Sequence, residues 1–310
     1  MSERVCPPAL KPGDTIGVAA VSGPIDPERL SAGVAALERR GYRVVLAPNV
    51  AARRRFLAGT DSERADGYRE LLRRDDVDAV FFARGGYGAA RVLRHLDAEE
   101  ARARPRIHLG GSDLTALFAH LARRIDLVTF YGPMVATGIA NEDGLDWEDV
   151  LRGGVPEPHR VAERDVLAGG TGEGPLVGGC LSILASLCGT PDAVSGRGAV
   201  LFWEDVNEET YRLDRMLTQL EGSGTFDGLQ AMVIGSISPG PRGGESPATV
   251  EAWLEDYFAG APFPVVRGLP AGHLARPRTL PLGLPVRVDA DAGRVEFTGL
   301  GSPAGASWRA

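Results

Sequence analysis

Hydrophobic positions in the first half of the chain form short unbroken runs, and between them lie stretches in which apolar residues recur every three or four positions. Residues 15–20 form one such run. Asp26 and Pro27 then supply an N-cap and a first-turn proline for a helix reaching Gly41, with Leu30, Val34 and Leu37 on its inward face. Residues 42–46 predict a second strand, 61–74 a charged helix, and 77–83 a third strand apolar enough to be covered on both faces. The loop Arg84-Gly-Gly-Tyr-Gly88 leads into a helix through Leu96. Residues 106–109 form a fourth strand, and Leu114, Leu117, Phe118 and Leu121 set one face of the helix behind it. A fifth strand is expected at 128–130. Repeated units of this kind predict an α/β fold with an N-terminal doubly wound parallel sheet. Such sheets place their sites at the carboxyl ends of the strands, where the turns 85–88 and 110–111 would both fall.

The texture changes after Ala140. Residues 141–174 are rich in Gly, Pro and charge, with one short helix expected at 147–151, and are read as a linker. They would separate an N-terminal domain, 1–140, from a C-terminal α+β domain, 175–310. In the latter the pattern gives helices at 180–187, 210–220 and 248–258 and strands at 199–204 and 231–237. Leu213, Met216, Leu217 and Leu220 share one helix face and read as core. Glycine and proline crowd 239–247 and 262–285, which implies long loops.

Composition narrows the partners. The net charge of -7 leaves no basic excess to displace counterions from nucleic acid phosphates, so nucleic acid is excluded as a main partner. No run of about 18 apolar residues predicts a membrane span. The start has no apolar signal-peptide core, and the three cysteines, Cys6, Cys180 and Cys188, lack metal-type spacing and suit reduced thiols. A cytoplasmic location is therefore expected. Gly86-Tyr-Gly-Ala-Ala-Arg91 fails the dinucleotide fingerprint at Arg91, and Gly169–Gly174 lacks the ending of a phosphate loop. No cofactor and no metal is expected.

The candidate chemistry centres on Ser112, where a strand breaks through Gly110-Gly111 into a helix. A serine there either caps the helix or stands exposed as a nucleophile, as in the elbow G-x-S-x-G. The match to that elbow is partial, because Leu114 replaces its second glycine. Of five histidines, His95 and His120 fall in predicted helices, His159 in the linker and His108 in the strand before the turn. His273 stands in the loop Leu269-Pro-Ala-Gly-His-Leu-Ala-Arg-Pro277, where function is more common than packing. Glu204 and Asp205 close an apolar strand and are both candidate orienting acids, with Asp205 read as a helix cap.

An ordered set of segments resembles the LD-carboxypeptidase family of serine peptidases, the muramoyltetrapeptide carboxypeptidases, over nearly the whole chain. They include Lys11–Asp14, Leu57–Thr60, Arg84–Gly88, Gly111–Leu117, Tyr131–Met134, Gly178-Gly179 with Leu181-Ser182, Glu204–Val206 with Tyr211–Leu217, and Gly272-His273. The resemblance implies a Ser-Glu-His triad divided between two domains. Ser112 would be the nucleophile, His273 the base and Glu204 the acid that orients it. The backbone N–H groups of Asp113 and Gly86 would form the oxyanion hole. Cys180 departs from the asparagine usual after the Gly-Gly pair, and Val21–Pro24 loosens the family's Pro-Ser segment.

The resemblance implies hydrolysis of an L,D-amide, releasing the terminal D-alanine of murein tetrapeptides in cell-wall recycling. Arg84 and Arg276 are the candidate cations for the free carboxylate, and a homodimer is the candidate assembly. Two alternatives stand beside this reading. One is a microcin-immunity-type peptidase acting on acyl adenylates, whose family pattern adds a loop with a base-stacking aromatic. Only Trp147 lies in the corresponding region, and its replacement by alanine is expected to change little. The other is a non-catalytic binding protein on an α/β scaffold.

Overall fold

The computed structural model describes residues 4–140, 146–240 and 247–298. In chain order the elements begin β1 (Thr15–Ala19), α1 (Pro27–Arg39), β2 (Arg43–Leu46), α2 (Asp61–Arg73) and β3 (Ala79–Phe82). They continue with α3 (Ala89–Val92), α4 (Ala98–Ala103), β4 (Ile107–Gly110), α5 (Thr115–Ile125), β5 (Thr129–Tyr131) and α6 (Trp147–Leu151). Then follow β6 (His159–Arg160), β7 (Val166–Ala168), β8 (Thr171–Cys180), α7 (Leu181–Leu187), β9 (Val200–Glu208), α8 (Thr210–Gly222) and β10 (Ala231–Pro239). The remainder is α9 (Pro247–Tyr257), β11 (Val265–Val266), β12 (Leu280–Leu282), β13 (Pro285–Asp289) and β14 (Arg294–Phe297). Among the described residues no helix is long and apolar enough to cross a membrane.

The chain forms two compact units, Met1–Gly154 with Ala275–Pro281, and Val155–Leu274 with Leu282–Ala310. The division thus falls later than the expected boundary at 140, and the first unit reclaims a segment near the C-terminus. The stretch 141–174 holds more than the one helix expected of it at 147–151. Its described residues carry α6 in the first unit and β6, β7 and the start of β8 in the second. Residues 141–145 and 241–246 of the Gly/Pro-rich stretches lie outside the described residues.

In the first unit the sheet order is β12-β5-β4-β3-β1-β2, and the pairs from β5 through β2 are parallel. Direction of winding reverses between β1 and β3, which creates the crevice where open α/β sheets hold ligands. β3 is buried throughout, as its unbroken apolar run predicts. Local signals fix the helix starts. Asp26 accepts from the N–H groups of Glu28 and Arg29 at 3.0 Å, and Thr60 with Glu63 forms a reciprocal capping box. The expected helix after Gly88 is broken, α3 passing into a 3-10 turn at Leu93–His95.

The second unit has an eight-stranded sheet, β6-β14-β13-β8-β9-β10-β11-β7. Its central pairs β8-β9, β9-β10 and β10-β11 are parallel, because α7, α8 and α9 serve as the crossovers that parallel neighbours require. Leu213, Leu217 and Leu220 of α8 join Leu201, Trp203, Met232 and Ile234 in its core. β9 runs four residues beyond the apolar stretch that predicts it.

Trp147 is 1% exposed and meets Phe81 edge-on at 5.4 Å, so it is a core ring of the first unit with no face for a nucleobase. Its removal, expected to change little in activity, therefore bears on stability. Trp147→Ala should cost about 3–5 kcal/mol, read as a lower urea midpoint at unchanged slope; a midpoint within error of wild type would contradict this packing.

Candidate functional site

Ser112 follows β4 with φ of 58°, a left-handed backbone at a residue that is not glycine. That conformation excludes the extended backbone of an N-cap, so the capping role falls away and a strained strand-to-helix turn remains. The flanking residues explain how the turn is held. The Ser112 N–H donates to the phenolic oxygen of Tyr131 at 2.8 Å, and Thr115 Oγ1 donates to the Ser112 carbonyl at 2.7 Å. A Cβ on Gly110 would stand 3.1 Å from Phe82 and 3.2 Å from Leu114, so the leucine at the second-glycine position packs against the first. A Cβ on Gly85 would come within 2.9 Å of Ser112 Cβ and 3.1 Å of its Oγ. Only glycine lets the β3 loop lie this close to the serine.

Three further ties were not visible from sequence. Asp113, 2% exposed, accepts from Ser22 Oγ at 2.6 Å and from the Ala89 N–H at 2.8 Å. It therefore joins the loop after β1 to the loop after β3. The Gly23 N–H donates to the Gly85 carbonyl at 3.1 Å across the same crevice. Arg64, without exposed surface, donates to the carbonyls of Val21 and Gly88 and binds the same two loops from the α2 side. These residues sit at the winding reversal, where β1 and β3 separate.

Glu204 lies on β9 in the second unit with no exposed surface, and accepts from His273 twice through Oε2. The backbone N–H approaches at 3.0 Å and Nδ1 at 2.7 Å. Since a carboxylate accepts, Nδ1 carries the proton, and the neutral ring has its lone pair on Nε2, the tautomer a general base requires. Gly272 makes this approach possible. It has φ of 109°, and a Cβ there would stand 2.6 Å from Glu204 Cγ. Burial, the largest single influence on His273, lowers its pKa; the Glu204 hydrogen bond and the charges of Glu204 and Asp205 outweigh it, and the net shift is upward.

Asp205 behaves differently from its neighbour. Its oxygens accept from the N–H groups of Ser182 at 2.7 Å and Val206 at 2.8 Å. It thus caps α7, the helix before its strand and not the one after, and it is buried, not solvated. Burial, chiefly, pushes its carboxyl up, and the Ser182 and Val206 bonds oppose that. Cys180 pairs with Glu204 in the sheet register and contacts Ser182 Oγ at 3.3 Å. Burial, first, and the two acids hold its thiol well above the usual range.

His108 is a packed residue. Burial lowers its pKa to about 4, Tyr68 bonds Nε2 at 2.8 Å and the Arg106 carbonyl bonds Nδ1 at 2.9 Å. Arg84 donates from Nη1 to the Pro24 carbonyl at 3.0 Å, and its guanidinium lies 3.5 Å from where a Cβ on Gly86 would stand. Its Nε is buried without a partner among the described residues. Arg276 is exposed on the segment that returns to the first unit.

The chain matches the model of the LD-carboxypeptidase N-terminal domain over residues 16–132 and that of the C-terminal domain over residues 173–288. A protein named "Probable murein peptide carboxypeptidase" from Bacillus subtilis (strain 168) is 36% identical over 284 residues, 89% of each chain. This chain belongs to the LD-carboxypeptidase family. A crystal structure of muramoyltetrapeptide carboxypeptidase from Oxalobacter formigenes matches with a TM-score of 0.81 at 29% identity, over 91% of this chain and 97% of that one. The microcin C7 self-immunity protein MccF of Escherichia coli is 26% identical over 93% of this chain and 94% of its own. A structure of a microcin C7 self-immunity protein in complex with aspartyl sulfamoyl adenosine has a TM-score of 0.83 at 25% identity, over 95% and 98% of the two chains.

For an LD-carboxypeptidase with His273 as base, the raised pKa sets the pH dependence. The ring is productive only when neutral, so the acid limb of kcat/KM should lie above pH 6.5, the ordinary histidine value. Glu204→Gln removes the charge that favours the imidazolium while burial persists, and should move that limb to lower pH. It should also cost about 10²–10⁴ in rate. Asp205→Asn should do much less of both. A pH–rate series with the two variants reversed would assign the orienting role to Asp205.

Proposed function

We propose that this LD-carboxypeptidase hydrolyses the L,D-amide that holds the terminal D-alanine of murein tetrapeptides, in the cytoplasm, with Ser112, His273 and Glu204 as its triad. The observation that carries the reading is the buried Glu204 carboxylate bonded to His273 Nδ1 at 2.7 Å. A binding protein has no need to bury a charge for the purpose of orienting an imidazole. The left-handed Ser112, pressed against Gly85, supports it from the first unit.

In this mechanism His273 Nε2 takes the Ser112 proton as Oγ attacks the scissile carbonyl, forming a tetrahedral oxyanion. The N–H groups of Asp113 and Gly86 stabilise that charge. Collapse expels D-alanine, whose nitrogen receives the proton from His273, and leaves an acyl-enzyme. Water, deprotonated by the same histidine, then attacks the ester and restores Ser112. Glu204 compensates the imidazolium at each of the two steps. Arg84, with an N–H left without a partner beside the Gly85-Gly86 turn, is the group assigned to the substrate's terminal carboxylate, with Arg276 as the second cation.

Purified protein should release D-alanine from L-alanyl-γ-D-glutamyl-diaminopimelyl-D-alanine. Amidation of the terminal carboxylate removes a charge-assisted bond and should slow release about ten- to a hundredfold. Ser112→Ala should lose on the order of 10⁴–10⁶ in kcat with its unfolding midpoint kept. A folded Ser112→Ala protein that retains activity would overturn the serine mechanism. Cleavage of an aminoacyl sulfamoyl adenylate without release of D-alanine from the tetrapeptide would replace the murein substrate.

A further inference from the structure

We propose that the first unit carries an oxyanion subsite for a phosphate or pyrophosphate on the substrate, remote from the amide that is cut. The inference rests on the proposed peptidase reading for its role and on the cavity alone for its chemistry. The cavity measures about 400 Å³ and is lined by Arg54, Arg55, Phe56, Arg91, Arg94 and His95, with Leu57, Thr60, Asp61 and Ser62 completing it. That volume lies within the range of roughly 300–1,000 Å³ usual for small-ligand sites.

Its charge is opposite to that of the chain, which carries -7 overall. Four arginines face one carboxylate, and that carboxylate is already committed. Asp61 accepts from Arg91 at 2.9 Å and Arg94 at 3.2 Å, and it is also paired with the buried Arg64. Arg91 first among its partners holds the Asp61 carboxyl below the usual range. Arg54 and Arg55 form no side-chain hydrogen bond or ion pair among the described residues; Glu63, the acid that feels Arg54, is bonded into the α2 capping box. That box also occupies the helix N-terminus, so guanidinium groups, and not helix N–H groups, are what the cavity offers. An excess of forked donors suits a multiply charged oxyanion better than a single carboxylate.

The wall is rigid and leads toward the serine. Arg54 and Leu57 bond reciprocally through their backbones at 2.8 and 3.0 Å, which fixes Arg55 and Phe56 at a two-residue tip. Arg55 takes φ of 57° there. Phe56, 57% exposed, meets Tyr87 edge-on at 5.7 Å. Tyr87 belongs to the same loop as Gly85, which touches Ser112, and a Cβ on Gly88 would stand 2.6 Å from Leu57. Phe56 on the cavity wall and Tyr87 on the β3 loop thus form one exposed pair of rings, which can cover an apolar part of a ligand that spans them.

The test uses the full chain and inorganic pyrophosphate as the probe, by calorimetric titration at low and moderate salt. Saturable binding that weakens with salt is expected, with acetate about tenfold weaker or more, and Arg54→Gln/Arg55→Gln should lose about tenfold or more in pyrophosphate affinity. These side chains are exposed and unbonded, so the double variant should keep the wild-type unfolding midpoint. For hydrolysis, a tetrapeptide bearing a pyrophosphate-linked carrier should exceed the bare tetrapeptide in kcat/KM, and the double variant should bring the ratio close to unity. Absence of saturable pyrophosphate binding, or equal binding by wild type and double variant, overturns the subsite. If pyrophosphate binds as expected but no D-alanine is released from either peptide, the peptidase reading fails and the anion site stands.

Discussion

A carboxylate with no exposed surface dictates much of the second unit. Removing Glu204 from water is costly unless its oxygen lone pairs are met where they lie. The loop before β12 meets them with two donors from one residue, and it can do so only because Gly272 has no Cβ and adopts a left-handed backbone. Gly235 on β10 makes room beside it, since a Cβ there would stand 2.7 Å from the Ala271 carbonyl oxygen, 2.8 Å from the Phe202 ring and 3.1 Å from Glu204 Cβ. Gly272 is thus committed to the acid itself, and Gly235 to the packing around it. The acid in turn fixes the proton on Nδ1 of His273, and orientation and protonation follow from the same bond.

In the first unit the equivalent constraint is closeness of loops. Winding reversal between β1 and β3 opens a crevice, and buried polar side chains close it to a defined width. Asp113 reaches Ser22 and Ala89, and Arg64 reaches Val21 and Gly88. Both tie the same pair of loops, at adjacent residues on each. Ser112 is held in its costly conformation by this surrounding frame, with Tyr131 bonded to its N–H. Strain at one residue persists because its neighbours leave it no cheaper alternative.

Much of this was legible in the residues. Unbroken apolar runs marked β1, β3 and β9, and the cap at Asp26 with Pro27 marked the start of α1, because these signals are local. The position of Ser112 between strand and helix was legible too, whereas its left-handed φ depends on Tyr131 and Gly85, which are distant in sequence. Glu204 and Asp205 close one strand together, and Asp205 reads as a helix cap, though of the helix after the strand and not the one before it. Alternation along a strand sends them to opposite faces, one toward His273 and the other toward α7. β9 outruns its apolar stretch since Asp205, Val206 and Glu208 still pair with β10 through register shifts. The return of 275–281 to the first unit had no signature, as a three-residue strand among prolines has too short a pattern to read.

That return has a consequence for how the molecule is made. β12 borders β5 in the first sheet, yet it emerges from the ribosome some 120 residues after the rest of that unit. Until then β5 is an edge with unpaired backbone groups, the kind of edge that invites pairing with other chains. The N-terminal unit therefore cannot finish folding as an autonomous early domain. Its last strand is threaded immediately after His273, so completion of the first sheet and delivery of the histidine loop are events in one short length of nascent chain. A translation product stopped before residue 280 would lack both the edge cover and any means of acquiring it.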